Sequence, residues 1–285
     1  MLEEIKYLVL QGGGIRCAWQ AGFVAALESE RPIRPCAISA VSASSAVACA
    51  IVCRRLEFAV HCFKAAIESN KKDIGLTRLF RGDRAFPHAE IYRSVLLQVF
   101  DQTALKKLCA GPDIQILVTR TSAKLPRYLG LVIGLSLCAF QALRTRRAYR
   151  RFGTQFGFSG EFISVRNCNT PVELADLVLA SSCSPPFTPW YSLHGRPVLD
   201  GGLSESVPLS GLPEKQGKTL VLLTARGTTV HRSPGIVYAE PSEDFRISSW
   251  DYTDASKIDY LYVLGKKDGS SFLRRAGMQQ ALVGE

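Results

Sequence analysis

The sequence predicts one α/β domain in which a mostly parallel central sheet is flanked by helices. The chain opens in the order strand, glycine turn, helix, strand, sharp turn, helix, which is typical of parallel sheets with right-handed crossovers. Apolar residues make up 47% and charged residues 21% of the chain, values usual for a globular protein with a core. At 285 residues the chain is long enough for one such domain. We therefore expect residues 1–285 to form a single domain.

The first strands and helices of the chain have the clearest sequence patterns. Residues 5–10 are an apolar run that stops at three consecutive glycines, as a buried parallel strand would. Residues 16–28 carry many small side chains, which predicts a helix packed closely on a sheet. A second short strand is predicted over residues 37–41 and a second helix over residues 44–54. The sharp turn between them contains Ser42.

The rest of the chain is predicted to continue this alternation. Helices are expected over residues 57–69, 88–100, 171–179 with Thr170 as the N-cap, 254–264 and 270–282. Strands are expected over residues 113–121, 196–199 and 219–224, and a loop over residues 227–242.

Residues 126–155 are predicted to be an apolar and basic helical insertion. The apolar run is shorter than the roughly 20 residues that a spanning helix needs. A helix lying in the membrane interface, with arginines at the level of the headgroups, fits this pattern. A buried core helix with a solvated basic end is the plainer alternative, and both stay open. The residues expected to contact a membrane are Leu131, Ile133, Leu135, Leu137, Phe140, Arg144, Arg146 and Arg147.

The charge and the cysteines indicate the surroundings of the protein. A net charge of +10 favours anionic partners, or is simply a solubilising surface. No nucleic-acid recognition motif is present, so an anionic membrane surface is the expected partner and nucleic acid is not. Nine cysteines in mostly apolar runs indicate buried free thiols in a reducing compartment. The first residues resemble no secretory signal. We expect a cytoplasmic protein that associates peripherally with membranes.

The glycine turn at Gly12, Gly13 and Gly14 is a candidate anion site. Bare backbone amides at the start of a helix can approach a phosphate or a tetrahedral oxyanion. A dinucleotide-binding motif would need a glycine where Cys17 stands and an acidic residue at the end of the second strand. A P-loop would need Lys-Ser/Thr after the glycines, and none follows. These departures disfavour a phosphate.

Ser42 is a candidate nucleophile. It lies between small residues at a strand-to-helix turn, in the string AVSAS of residues 40–44, which has the form of a nucleophile elbow. The usual string is G-x-S-x-G, and both glycines are replaced here, by Ala40 and Ser44. Close packing of small residues on a helix is the alternative explanation of this string.

Asp200 is a candidate base. It directly follows the strand predicted over residues 196–199 and precedes Gly201 and Gly202, so its carboxylate can point into a cleft, although Asp-Gly also occurs in ordinary turns. Strand ends of a parallel sheet converge on the crevice at its carboxyl edge. We therefore expect Ser42, Asp200 and the glycine amides to share one pocket.

Taken together, these motifs resemble the patatin-like phospholipase family. The family's glycine-rich, serine and Asp-Gly motifs are similar to residues 12–16, 40–44 and 200–202. Further similar segments are residues 180–187, 203–208 and 265–269, so the resemblance spans most of the chain. It implies a patatin-like three-layer fold and a lipid acyl hydrolase of the phospholipase A or esterase type, acting on a phospholipid or another acyl lipid.

The resemblance also implies roles for individual residues. Ser42 would be the nucleophile and Asp200 its general base, in a dyad without histidine. The oxyanion would be held by the turn at residues 12–14 and by Arg16. Ala40, Ser44, Gly201 and Gly202 would support the two turns. No metal or cofactor is implied. A carboxylate is a weak base for a hydroxyl, so we expect an apolar cleft that raises the pKa of Asp200.

Two other hypotheses remain open at this stage. Ser44 and Cys17 place a Cβ where the family usually keeps glycine, so the protein could be a weak or inactive enzyme that binds membrane lipid. Ser42, Asp200 and His231 also occur in the order of a Ser-His-Asp esterase. That fold, however, places its nucleophile after a later strand.

Overall fold

The computed structural model describes residues 4–70, 88–120, 158–185, 188–213, 217–230, 233–252 and 254–283. The predicted insertion at residues 126–155, with all its membrane-contact residues, lies outside this part of the chain, and so does His231. Within the described residues, no helix has both the length and the apolar character to cross a membrane.

Eight strands of the described residues form one sheet, and its mostly parallel character is as the sequence predicts. The strands are β1 (Ile5–Leu10), β2 (Ala37–Val41), β3 (Asp113–Arg120), β4 (Ser159–Ser164), β5 (Tyr191–Leu193), β6 (Arg196–Asp200), β7 (Lys218–Leu222) and β8 (Ile236–Ala239). Their order is β5-β6-β3-β2-β1-β7-β8, with β4 also paired to β3. The pairs from β3 to β8 along this order are parallel, whereas β4, β5 and β6 make antiparallel pairs.

Helices cover the sheet. They are α1 (Cys17–Glu30), α2 (Ser44–Cys53), α3 (Leu56–Asn70), α4 (His88–Val99), α5 (Gln102–Ala110), α6 (Pro171–Ser181) and α7 (Ser256–Val283). Every residue of β2 is buried. Successive side chains of a strand point to opposite faces, so β2 is covered on both sides. The predicted cap of α6 is present, because Thr170 Oγ1 accepts a hydrogen bond from the Glu173 N–H at 3.1 Å.

The C-terminal segment differs from its prediction. Two helices were expected, separated by glycines, but α7 is continuous through them. A Cβ on Gly265 would overlap the carbonyl oxygen of Trp19 in α1, and a Cβ on Gly22 would overlap that of Tyr262 in α7. These glycines therefore allow α1 and α7 to approach closely, and the tertiary contact outweighs their low helix propensity. Beside them, Trp19 Nε1 donates to Asp268 Oδ2 at 2.8 Å.

Some elements carry no clear pattern in the sequence. Strand β8 lies inside the predicted loop of residues 227–242, and α5, β4 and β5 were not predicted. Strand β8 is the last in the strand order and has only four residues, three of them half-buried, so it is too short to stand out from a loop in the sequence. Helix α5 begins after Asp101, whose side chain accepts from the Ala104 N–H at 2.8 Å.

The described cysteines are free thiols, as predicted. None of the eight forms a disulfide, and six of them are buried. Burial raises the pKa of the Cys53 thiol to about 11 and that of Cys168 to about 12, so both stay protonated at neutral pH. Such thiols behave as small apolar core residues.

Candidate active site

The site is formed where two strands meet end to end on one edge of β3. Strand β2 pairs with the first part of β3 and ends with Val41 opposite Leu117. Strand β6 pairs with the last part and ends with Asp200 opposite Val118. Strand β4 pairs with β3 along a range that overlaps both, so it occupies the other edge. The carboxyl ends of β2 and β6 therefore face each other along the same edge.

This geometry brings Ser42 and Asp200 together. Ser42 follows Val41 directly, and its Oγ donates a hydrogen bond to Asp200 Oδ2 at 2.7 Å. The expected reason for this meeting was wrong, because β6 is antiparallel to β3 and its end is not a carboxyl end of the parallel sheet. Asp200 reaches the serine because β6 runs toward β2 and stops one register step away.

Ser42 has the backbone conformation of a nucleophile elbow. Its φ of 59° lies in the left-handed region, which is strained for a residue with a side chain. The Ser42 N–H donates to Ser181 Oγ at 2.8 Å, and Ser181 Oγ donates to the Leu117 carbonyl oxygen at 2.7 Å. Ser181 thus joins the turn to β3 from the end of α6. Residues 180–187 carry the family resemblance, but the sequence did not reveal this contact.

Ser44, which stands where the usual motif has glycine, is integrated into the turn. It is fully buried, and its Oγ accepts from the Val41 N–H at 3.1 Å. The same Oγ lies 2.9 Å from the Leu10 carbonyl oxygen and 2.8 Å from that of Val41, which share its proton. The hydroxyl therefore ties the elbow to the end of β1, and its Cβ lies within the packed turn. Ala40 is also fully buried, within β2.

The glycine turn packs directly against the elbow. A Cβ on Gly12 would lie 3.3 Å from the Cβ of Ser42, and one on Gly13 would lie 2.6 Å from Thr224 Oγ1. Gly14 has a φ of 57°, and a Cβ there would overlap the backbone of Ser249. Gly13 and Gly14 are therefore required for the close approach to the end of β7 and to the loop before α7, and a Cβ on Gly12 would crowd the elbow.

The amides of this turn are not equivalent. The Gly12 N–H donates to the Ser206 carbonyl oxygen at 3.3 Å. The N–H groups of Gly13 and Gly14 donate to no backbone or side-chain oxygen of the described residues. Of the three predicted donors, the structure thus leaves the second and third without an oxygen partner, and the group beside the Gly13 N–H is the weakly accepting thiol of Cys17.

Arg16 and Cys17 anchor the start of α1. Arg16 Nε donates to the Ile247 carbonyl oxygen at 2.8 Å, which holds the loop before α7 against the glycine turn. Cys17 is buried, and burial raises the pKa of its thiol far above the usual range, with the Gly13 amide opposing this shift. The thiol is therefore neutral. Among the described residues, no group of His, Cys, Asp and Glu side chains has the arrangement of a metal site.

The carboxylate of Asp200 is held in a fixed orientation. Its Oδ1 accepts from the Gly202 N–H at 2.7 Å, which leaves Oδ2 facing the serine. The Thr119 hydroxyl donates to its backbone carbonyl oxygen at 2.9 Å. A Cβ on Gly201 would overlap the Leu117 carbonyl oxygen, so the turn after the strand requires glycine.

The ionisation of Asp200 is shifted upward. Burial raises its pKa to about 6, against the hydrogen bonds from Ser42, Gly202 and Ser184, which lower it. The carboxylate is thus ionised at neutral pH and has a greater affinity for a proton than an exposed one. This agrees with the expectation of a desolvated base.

An apolar cavity opens beside the elbow and the glycine turn. Its walls are formed by residues of α1, α2, α3 and α4, and they include Gly14, Cys17 and Ala43. The space measures about 660 Å³, counting the part open to solvent. Ala43, the residue after Ser42, is part of its wall. An apolar cavity beside a serine turn can hold a hydrocarbon chain whose polar end lies near the hydroxyl.

Comparison with known proteins gives one family. The sequence model of the patatin-like phospholipases matches residues 8–212, which include the glycine turn, Ser42 and Asp200. No curated protein sequence matches the chain. Among solved structures, the chain is similar to VipD from Legionella pneumophila, at 10% identity and a TM-score of 0.48. That alignment covers 95% of this chain and 67% of the VipD chain.

Proposed function

The chain belongs to the patatin-like phospholipase family, and from this premise we propose that it is a serine carboxylic-ester hydrolase that cleaves fatty-acyl esters of lipids. The observation that carries the proposal is the 2.7 Å hydrogen bond from Ser42 Oγ to Asp200 Oδ2. A nucleophile and its base within hydrogen-bond reach are the signature of covalent catalysis.

In the first step, Ser42 Oγ attacks the ester carbonyl carbon while its proton moves to Asp200 Oδ2. The raised pKa of Asp200, about 6, supports this role, because a base of higher pKa accepts a proton more readily. The tetrahedral intermediate then collapses, and Asp200 returns the proton to the departing alcohol oxygen. An acyl group remains esterified to Ser42.

The negative oxygen of the intermediate is held by the glycine turn. The N–H groups of Gly13 and Gly14 are the proposed donors, since the Gly12 N–H is paired with Ser206. Gly12 contributes by letting the turn lie against Ser42, and Arg16 by holding the loop at Ile247. Loss of one such donor typically lowers turnover about 100- to 1,000-fold.

In the second step, a water molecule attacks the acyl-enzyme and Asp200 takes its proton. The fatty acid leaves and the Ser42 hydroxyl is restored. Because Asp200 must be ionised in both steps, we expect activity to rise with pH through a pKa near 6 and to be lost in more acidic solution.

The substrate is proposed to be an acyl lipid at an anionic membrane surface. Two properties of the chain support this, the apolar cavity beside Ser42 and the net charge of +10, which favours anionic headgroups. A cytoplasmic protein that binds the membrane peripherally is part of the same proposal.

A fluorophosphonate probe tests the dyad, because it labels only an activated serine. We expect labelling of the wild type, none of Ser42→Ala, and much weaker labelling of Asp200→Asn. Ser69→Ala, an exposed serine on α3, is the matched control and should label as the wild type does. Release of fatty acid from liposomes should follow the same order.

Two outcomes would count against the proposal. Labelling that persists in Ser42→Ala would remove this serine as the nucleophile. Liposome binding without hydrolysis of any ester, unchanged by Ser42→Ala, would favour the inactive lipid-binding protein instead.

A further inference from the structure

The long axis of the apolar cavity beside Ser42 runs parallel to the helices that line it. Helix α2 starts at the elbow and runs away from it, and the residues that face the cavity follow one side of this helix, Ala43, Ala46 and Ala50. Helix α4 also faces the cavity over two turns, from Tyr92 to Val99. The cavity thus extends along the helices rather than across the surface.

Helix α3 runs back in the opposite direction and defines the two ends. At the far end, Arg55 Nη1, in the turn between α2 and α3, donates to the Val99 carbonyl oxygen at 2.6 Å. At the near end, the ring of Phe63 lies 5.6 Å from that of Tyr92 and 5.9 Å from that of Tyr252. Gly14 and Ala43, the chain neighbours of Gly13 and Ser42, line the cavity as well, so the end beside them is the mouth.

The far end of the cavity is formed by buried side chains. Leu56, Val99 and Phe100 line it, and they are 8%, 1% and 2% exposed. The lining residues nearer Ser42, such as Ala43 and Ala46, are only half-buried. The end at Leu56, Val99 and Phe100 is therefore the more completely buried end of the cavity, as the bottom of a pocket would be.

We propose that this cavity holds the acyl chain of the substrate and that its depth accommodates about ten carbons of that chain. The proposal rests on the function proposed above, since the chain enters with its carbonyl carbon at Ser42. From Ala43 to Ala50 the helix rises about 10 Å at 1.5 Å per residue. An extended chain advances about 1.2 Å per bond, so roughly eight bonds fit below Ala43.

The depth of the cavity determines how affinity depends on the length of the acyl chain. Each methylene removed from water contributes about a fourfold gain in affinity. Carbons that reach the bottom at Leu56 and Phe100 have no further apolar wall to contact and must bend back or stay in water. Affinity should therefore rise with chain length up to about ten carbons and then level off.

The chain length at which affinity stops rising, here called the break, can be moved by substitution. Ala59 faces the cavity from α3, one turn above Leu56 and one turn below Phe63. A leucine there would fill the pocket about 4.5 Å above its bottom, which corresponds to about four carbons. Ala65 on the same helix is exposed and is not part of the cavity wall, so Ala65→Leu is the matched control.

The test measures binding and hydrolysis separately. Straight-chain fatty acids of about six to sixteen carbons, each below its micellar concentration, are titrated into the Ser42→Ala variant. We expect affinity to rise about fourfold per methylene and to stop rising near ten carbons. In the Ala59→Leu background the break should move to about six carbons, and in the Ala65→Leu background it should stay.

A second variant, Ala46→Leu, protects the test against misfolding of the first. Ala46 lies one turn of α2 closer to Ser42 than Ala50 does, so its leucine should shorten the break at least as much. Circular dichroism of each variant confirms that it is folded. A break that stays in place in both folded variants would overturn the proposal.

The remaining outcomes separate the pocket from the enzyme. Affinity that climbs steadily to sixteen carbons would overturn the limited depth, even if the wild type hydrolyses esters. A break near ten carbons in a protein that hydrolyses no ester would leave the pocket in place and remove the proposed function.

Discussion

The two ends of helix α2 have the same backbone conformation for different reasons. Ser42, just before the helix, has a φ of 59°, and Arg54, just after it, has a φ of 55°. Both lie in the left-handed region, where a residue with a Cβ is strained by roughly 1–2 kcal/mol. Neither position holds the glycine that would relieve this strain.

At Arg54 the conformation serves the helix alone. The Arg54 N–H donates to the Ile51 carbonyl oxygen at 3.1 Å, and the Arg55 N–H donates to that of Ala50 at 2.9 Å. These contacts close the C-terminus in the way that glycine usually does. The Arg54 side chain is exposed, and the same cap would form with glycine.

At Ser42 the conformation serves the site. The turn directs Oγ toward Asp200 and the N–H toward Ser181, and the buried hydroxyl of Ser44 fixes the turn from below. A glycine would keep the backbone but remove the nucleophile. Backbone strain at one residue therefore does not by itself identify a functional site. It does so only where the side chain of the strained residue contacts a chemical partner, as Ser42 contacts Asp200.

The largest expected effect is that of Ser42→Gly. Hydrolysis should fall by about a thousandfold or more, because the nucleophile is lost. The free energy of unfolding should rise by about 1 kcal/mol, because strain is relieved at the cost of greater freedom in the unfolded chain. Ester turnover and urea denaturation measure the two. A loss of stability would mean that the Oγ hydrogen bond outweighs the strain.

Asp200→Asn should change stability in a pH-dependent way. The pKa of Asp200 in the folded protein, about 6, lies above its unfolded value of 3.8. The folded state thus binds the proton more tightly, and the wild type loses stability as pH rises from about 4 to about 6. Asparagine does not titrate. The free energy of unfolding of the variant, minus that of the wild type, should therefore be larger at pH 8 than at pH 4 by up to about 2–3 kcal/mol.

Urea denaturation of both proteins at the two pH values measures this difference. A difference that is independent of pH would mean that the carboxyl of Asp200 has an ordinary pKa. The dyad would then lack the desolvation on which its basicity depends.

The smallest expected effect is that of Arg54→Gly. The free energy of unfolding should rise by about 1 kcal/mol, as at Ser42, because the same strain is relieved. Ester turnover should equal that of the wild type, since Arg54 has no contact with the site in the described part of the chain. Lower turnover with unchanged folding would show that this end of α2 also acts on the site, and the contrast between the ends would fail.

Local features of this protein follow from its sequence. The strand that stops at three glycines, the small residues around Ser42 and the Asp-Gly-Gly turn each depend on a few neighbouring residues. Periodicity, backbone freedom and side-chain size act over such short spans, so β1, β2, α2 and the general form of the sheet could be predicted. The three candidate groups, and the family that shares them, came from the same short segments.

The tertiary structure decided how these segments meet. The register of β3 places the ends of β2 and β6 head to head, and the partners of the turns come from distant parts of the chain, as with Ser181 for Ser42 and Ser206 for Gly12. The continuity of α7 was decided likewise, by packing against α1. A pairing register and a long-range contact depend on the shape of the whole core, which no short stretch of sequence contains.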